Sequence, residues 1–222
     1  MPHYFSADNN TIKSNPKVIA FRVNNEDLKF NTDHGVFSKD NYDRGTEVLL
    51  SFLAVDRKFR TALDLGCGYG VIGIYLSKAY GLKVDMVDIN KRAVELSKSN
   101  TELNSITADV YESDSFSNIK KTFDLIVLNP PIRAGKEIYY KMFEESINYL
   151  NENGEFIIVI NKKHGANSAI NKLGTIYKNI SIIGKKRGFY VVQCQKWLTI
   201  WQICDTILNC QNTRIFVFKS LF

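Results

Sequence analysis

Two short stretches of this chain combine residue types and spacings that could carry chemistry. In Asp64-Leu65-Gly66-Cys67-Gly68-Tyr69-Gly70, three glycines spaced two apart close the apolar run Thr61 to Leu65 and lead into a helical pattern over Val71 to Ala79. That is the signature of a strand, a tight turn and a helix. Glycine at such a turn lets the backbone approach a ligand, because no Cβ blocks the way and a positive φ is allowed. The helix beyond it offers unpaired N–H groups. In the second stretch, Asn129-Pro130-Pro131-Ile132 stops the apolar run Phe123 to Leu128, whose β-branched residues suit a central strand buried on both faces. Two prolines cannot continue a ladder, and they fix their own φ. The Asn129 side chain and the Pro130 carbonyl are thereby held as two hydrogen-bond acceptors at one fixed separation.

Dinucleotides and S-adenosylmethionine both use a glycine turn of this kind, and they set different charges against it. A pyrophosphate would find a carboxylate two residues before the first glycine a poor neighbour. The ammonium and sulfonium of S-adenosyl-L-methionine suit Asp64 well, so this cofactor is expected on Asp64, Gly66, Gly68 and Gly70. Asp88 ends the second apolar strand, Leu82 to Val87, and stands 22 residues after Gly66, where an acidic residue receives ribose hydroxyls. With an activated methyl group at hand, the acceptors at Asn129 and Pro130 suit methylation of an exocyclic amine. A base amino group shares its lone pair with the ring and is a weak nucleophile. Two acceptors on its hydrogens draw it toward a tetrahedral form and aim the lone pair, so transfer rests on orientation and electrostatics. No general base of high pKa is needed.

Asp-x-Gly-x-Gly-x-Gly, then Asp88-Ile89-Asn90, then Asn129-Pro130-Pro131-Ile132 resembles a class I methyltransferase. Thr32-Asp33-His34-Gly35-Val36-Phe37-Ser38, Gly68-Tyr69-Gly70-Val71-Ile72-Gly73 and Asn129 to Lys136 more narrowly resemble the small-ribosomal-RNA guanine-N2 methyltransferase family in its short single-domain form, over Tyr4 to Lys196. The resemblance implies methyl transfer to N2 of a guanine in RNA, with ribosomal RNA or a ribosomal subunit as partner. It sets Asn129 against the cofactor as well as the substrate, and Asp109 near the adenine amino group. It places the Phe37 loop along the substrate base. Ile132 is aliphatic where amine methyltransferases acting on adenine or glutamine tend to carry an aromatic, which leaves stacking to Phe37. Pro131 and Ile132 would border the base, with Arg133 and Lys136 beyond them to meet RNA phosphates. The chain departs from relatives in having only Ser105 to Ala108 before Asp109, which implies a short third strand, and in continuing past Lys196. Transfer to adenine N6 or a protein glutamine amide, and a non-catalytic RNA-binding module, are the alternatives.

The elements that must position these residues follow from the pattern of apolar positions. Lys17 to Val23 and Leu28 to Phe30 read as a hairpin, separated by Asn24-Asn25-Glu26-Asp27. Arg44 to Ala54 is an amphipathic helix with Asp43 as its N-cap. Helices are expected over Lys91 to Asn100, Lys136 to Leu150 and Lys163 to Leu173. A strand covers Glu155 to Ile160, and an antiparallel pair covers Ile176 to Ile183 and Gly188 to Gln193. The sum is an α/β fold, a Rossmann-like, mostly parallel seven-stranded sheet with an antiparallel last strand and helices on both faces. Residues 1–45 form a hairpin or lid segment, 46–196 the methyltransferase domain, and 197–222 an apolar extension with no assigned role. His34 is expected to be structural.

The chain has 222 residues, 45% of them hydrophobic, which is enough for one sizeable core. It lacks an apolar run of about 18 residues, so no membrane span is expected. The polar start, Met1 to Asn15, is unlike a signal peptide. Four cysteines without paired spacing suggest neither a disulfide framework nor a zinc site, and hence a reducing cytoplasm without a metal. The net charge of +6 permits a polyanionic partner but does not demand one.

Overall fold

The computed structural model describes residues 15–34, 36 and 43–197 of the chain. Phe37 and residues 198–222, to which the stacking role and the apolar extension were assigned above, lie outside the described residues. An N-terminal hairpin pairs β1 (Lys17–Val23) with β2 (Glu26–Thr32). Its turn is only Asn24-Asn25, with Asn24 at φ 51°, so Glu26 and Asp27 belong to the second strand and not to the loop. Next comes helix α1 (Arg44–Phe52), capped as expected: Thr46 N–H donates to Asp43 Oδ2 at 2.8 Å.

The main sheet then opens with β3 (Thr61–Leu65), α2 (Val71–Tyr80), β4 (Lys83–Asp88), α3 (Lys91–Leu103), β5 (Ala108–Glu112) and β6 (Phe123–Leu128). It continues with α4 (Lys136–Ser146), β7 (Leu150–Asn161), α5 (Ala166–Gly174), β8 (Asn179–Lys186) and β9 (Phe189–Gln195). Across the sheet the order is β5-β4-β3-β6-β7-β9-β8. The five strands from β5 to β7 are parallel, and β9 runs antiparallel to both β7 and β8. β5 has five residues, as many as β3, so the brief approach through Ser105 does not shorten it below its neighbours.

Alternation along the central strands explains the three layers. Leu125 and Val127 of β6 face one core with α1, α2 and the hairpin residues Val23, Leu28 and Phe30, whereas Ile126 and Leu128 face the other with Tyr139, Phe143 and Leu173 of α4 and α5. A period of two on a strand sends neighbours to opposite faces, so a strand buried on both sides must be apolar throughout. Among the described residues no helix is long and apolar enough to cross a membrane.

β8 starts at Asn179, not Ile176, and runs on to Lys186, and α3 runs on to Leu103; three further elements differ from their expected bounds for a local reason. β7 begins at Leu150, not Glu155, because Asn153 at φ 60° and a register shift after Phe123 absorb the irregularity inside the strand. Gly154 packs on backbone there: a Cβ would lie 2.9 Å from the Asn151 carbonyl oxygen. α4 ends at Ser146 and is followed by a 3₁₀ turn over Ile147–Tyr149. The expected helix from Lys163 is instead a 3₁₀ turn over Lys162–His164, and Gly165 at φ 89° separates it from α5.

Candidate active site

A cavity of about 720 Å³ opens at the carboxyl ends of the parallel strands. In open α/β sheets this is where ligands bind. The cavity lining includes Gly66 to Tyr69, Asp88 to Asn90 and Ser113 to Ser115, and, after the neighbouring strands, Asn129 to Ala134, Asn161, His164 and Phe189, with Asp43 and Thr46.

The glycine turn is held tightly from behind. Gly66 and Cys67 both donate their N–H to the Val87 carbonyl, at 2.8 and 2.9 Å, which ties the turn to β4. Gly66 (φ 73°) and Gly68 (φ 57°) are in the left-handed region, and a Cβ on either would meet no atom of the described residues within 4 Å beyond its chain neighbours. Their open sides give a ligand direct access to backbone. Gly70 serves packing instead: a Cβ there would sit 3.0 Å from Ser97 Oγ, and Gly70 does not line the cavity. From α3, Ser97 Oγ donates to the Gly68 carbonyl at 2.9 Å, and the buried Asn100 Nδ2 donates to the Tyr69 carbonyl at 2.8 Å. Asn100 Oδ1 also accepts the Asn31 N–H, so one amide clamps the loop and the hairpin together.

The three acidic residues expected at the cofactor are placed differently from one another. Asp88 lines the cavity, where its Oδ2 accepts the Gly68 N–H and its Oδ1 the Asn90 N–H, both at 2.9 Å. Burial pushes its carboxyl above the usual range, against the lowering effect of those backbone donors. Asp64 stands elsewhere. It lies beneath the turn and does not line the cavity; its Oδ2 accepts the Gly73 N–H at 2.8 Å, and its Oδ1 is buried without a partner. Burial lifts its pKa to about 7, with the Asp88 charge adding to the rise. Gly73 is the residue that lets α2 come this close, since a Cβ would overlap Met86 Sδ at 2.3 Å.

Asp109 is placed differently again. It pairs across from Asp85 in the lower half of β5, is 73% exposed and meets Lys121 at 3.4 Å, away from the cavity. The carboxyl end of β5 is reached only at Glu112, so the polar residues that line the wall are Ser113, Asp114 and Ser115. Three polar residues just past a parallel strand were the available signal, and the match to Asp109 hid it.

Asn129 follows the last residue of β6. Its Nδ2 donates to Asp43 Oδ2 at 2.8 Å and to Thr46 Oγ1 at 3.0 Å, and no described residue donates to its Oδ1. The Pro130 carbonyl accepts the Ile132 N–H at 2.8 Å around Pro131 (φ −75°, ψ 71°), the inverse γ-turn geometry, which fixes its direction and leaves it a second lone pair. Pro130, Pro131, Ile132 and Arg133 all line the cavity. Lys136 does not; its ammonium lies 5.0 Å from the centre of the Tyr140 ring. Sequence reasoning missed Phe189 and Asn161, which are paired across β7 and β9, and His164 in the turn after β7. His34 stays outside the cavity, with its carbonyl accepting from Arg92 at 2.6 Å.

Strand order, glycine turn and acidic strand end together define a Rossmann-like methyltransferase fold. Among solved structures, the chain superposes on a T. thermophilus 16S rRNA N2 guanine methyltransferase in complex with AdoMet and guanosine, with a TM-score of 0.73 at 24% identity over 82% of this chain and 50% of that one. A Pyrococcus furiosus methyltransferase gives 0.60 at 21% identity, over 74% and 91% of the two chains.

In sequence, the chain is 43% identical to the uncharacterized protein YbxB of Bacillus subtilis (strain 168), covering 87% of this chain and 98% of that protein. It is 34% identical to the ribosomal RNA small subunit methyltransferase C of Psychromonas ingrahamii over 80% of this chain, and it spans 51% of that protein's length. With residues 27–193 matching the methyltransferase small domain, the chain belongs to that family.

The cofactor of this family and fold is S-adenosylmethionine, and the residues present fit it. Gly66 and Gly68 leave an open cradle, Asp88 stands at the strand end with lone pairs to spare, and two buried carboxyls with raised pKa values, one with an orphaned oxygen, are groups whose ionisation a cationic ligand would favour.

Proposed function

We propose that this protein methylates N2 of a guanine in RNA, with small-subunit ribosomal RNA as substrate and S-adenosylmethionine as methyl donor. The observation that carries the reading is the amide of Asn129, whose oxygen accepts from no described residue and which lines the same cavity as the glycine turn, one strand away. The relatives named as small-subunit ribosomal RNA methyltransferases and the guanosine-bound neighbour support it.

When bound, S-adenosylmethionine supplies a methyl group on a sulfonium. Asp88 and the backbone of Gly66 and Gly68 hold the nucleoside end, with Asp114 taking the place given to Asp109. Asn129 Oδ1 and the second lone pair of the Pro130 carbonyl accept the two hydrogens of the guanine amine, orient its lone pair and stabilise the positive charge that grows on nitrogen. Pro131 and Ile132 border the base, and Arg133, exposed at the rim, meets the RNA backbone. A base reaches such a recess only when unpaired or flipped out.

Labelled methyl transfer to small-subunit RNA, with the product digested to nucleosides, tests the proposal. N2-methylguanosine is the expected product. N6-methyladenosine, or label in protein glutamine, would move the activity to another amine, and no transfer to any RNA with cofactor bound would defeat the reading.

A further inference from the structure

A primary amide can offer a substrate either its oxygen or its nitrogen, and the two ends are nearly the same size. Only the oxygen can accept a hydrogen from an amine. At Asn129 the choice is made by residues 86 and 83 positions earlier, on the first turn of α1. Asp43 Oδ2 takes one Asn129 Nδ2 hydrogen at 2.8 Å, and Thr46 Oγ1 takes the other at 3.0 Å. An ionised carboxylate has no proton to give, so the amide nitrogen must face it. The reversed amide would set oxygen against oxygen at the same 2.8 Å. Planarity of the amide then turns Oδ1 away from α1.

Helix capping alone does not call for this residue. The cap needs one acceptor for the Thr46 N–H, and serine would supply it as well as aspartate. A longer carboxylate is needed for the second bond. Gly45 keeps the space in which that bond forms: a Cβ there would stand 2.9 Å from Asp43 Oδ2, 3.3 Å from the Phe189 ring and 3.5 Å from Asn129 Nδ2. The structure assigns Asp43, seconded by Thr46, as the positioning residue that locks the Asn129 amide with its oxygen toward the substrate amine. What that oxygen then does rests on the proposed function; how it is held does not.

The test compares Asp43→Ser with Asp43→Asn. Serine keeps the cap but falls short of Asn129. Asparagine, its oxygen fixed by the Thr46 N–H, can still take both bonds. For Asp43→Ser the single-turnover rate should fall by about 10- to 100-fold at unchanged cofactor affinity, the scale of a misoriented catalytic group, while Asp43→Asn stays within about threefold of wild type. Without RNA, the Asn129 side-chain amide should show slow hydrogen exchange in wild type and Asp43→Asn, and fast exchange in Asp43→Ser. If Asp43→Ser does not fold, Thr46→Val removes one of the two acceptors and should speed that exchange and slow transfer in the same direction. A folded Asp43→Ser with wild-type rate, or an Asn129 amide whose exchange is unmoved, overturns the assignment. So does a loss confined to cofactor affinity. Since the exchange measurement needs no substrate, a wild-type protein that methylates no RNA would defeat the proposed reaction and still leave the spectra to decide this one.

Discussion

Around Gly66 to Tyr69 the cavity wall is mostly backbone, held by partners a strand or a helix away: Val87, Asp88, Ser97 and Asn100. Around Asn129 it is mostly side chain, held by residues 86 and 83 positions earlier. The first wall gains its precision from a turn that glycine permits and a parallel ladder enforces. The second depends on α1 docking against the end of β6. A change on one side should therefore affect the other less than its own, because each is held by its own set of hydrogen bonds.

The largest separation is expected from Asn129→Ala. Transfer should drop at least about 100-fold, the cost of losing one preorganised group of this kind, while calorimetry shows cofactor affinity within a few-fold of wild type. Equal loss of both would merge the two halves. Asp88→Ala is the converse: cofactor binding should weaken about 10- to 100-fold, since the Gly68 and Asn90 N–H groups lose a charged acceptor, and cofactor saturation should restore much of the transfer rate. A rate that stays low at saturation would give Asp88 a part in the second half as well.

Gly45→Ala should be smaller and more telling. Alanine favours a helix over glycine by up to about 1 kcal/mol, but the Cβ that displaces Asp43 Oδ2 also loosens the cap on the Thr46 N–H, so the melting temperature should change little while transfer slows by about tenfold. Unchanged transfer would show that this contact yields without moving Asn129.

The smallest effect concerns protons. Burial raises Asp64 from 3.8 to about 7, so between those values the free folded protein holds a proton that the unfolded chain has lost, and its stability falls as pH rises through that window. A cationic cofactor favours the ionised form, so binding should release a proton below pH 7 and tighten as pH rises toward 7, then level off. Titration in buffers of different ionisation enthalpy reads the release directly. Asp64→Asn should flatten the dependence, and a slope that survives would transfer it to another group.

Legibility divides along the same line as the two halves. Gly66, Gly68 and Asp88 could be read where they stand, because a glycine turn and a strand-end carboxylate act through neighbours close in sequence or through a ladder whose pattern is periodic. Asp109 was chosen by matching a residue without counting how far β5 runs; the strand ends at Glu112, and Asp114 just past it lines the cavity. Asp64 was read as a cofactor contact from its charge, yet its placement under the turn depends on how closely α2 packs at Gly73. The bounds of β7 and α5 shifted because single residues, Asn153 and Gly165, adopt positive φ that composition does not announce.

What the linear order of residues determined here is the alternation of strands and helices, the glycine turn, the rigid Asn129-Pro130-Pro131 corner and the N-cap at Asp43, since each follows from local sterics and hydrogen-bonding capacity. Which way the Asn129 amide points was decided only when α1 packed against the sheet. A rotation between two ends of equal size has no local preference, and only a third group brought up through space can break the tie.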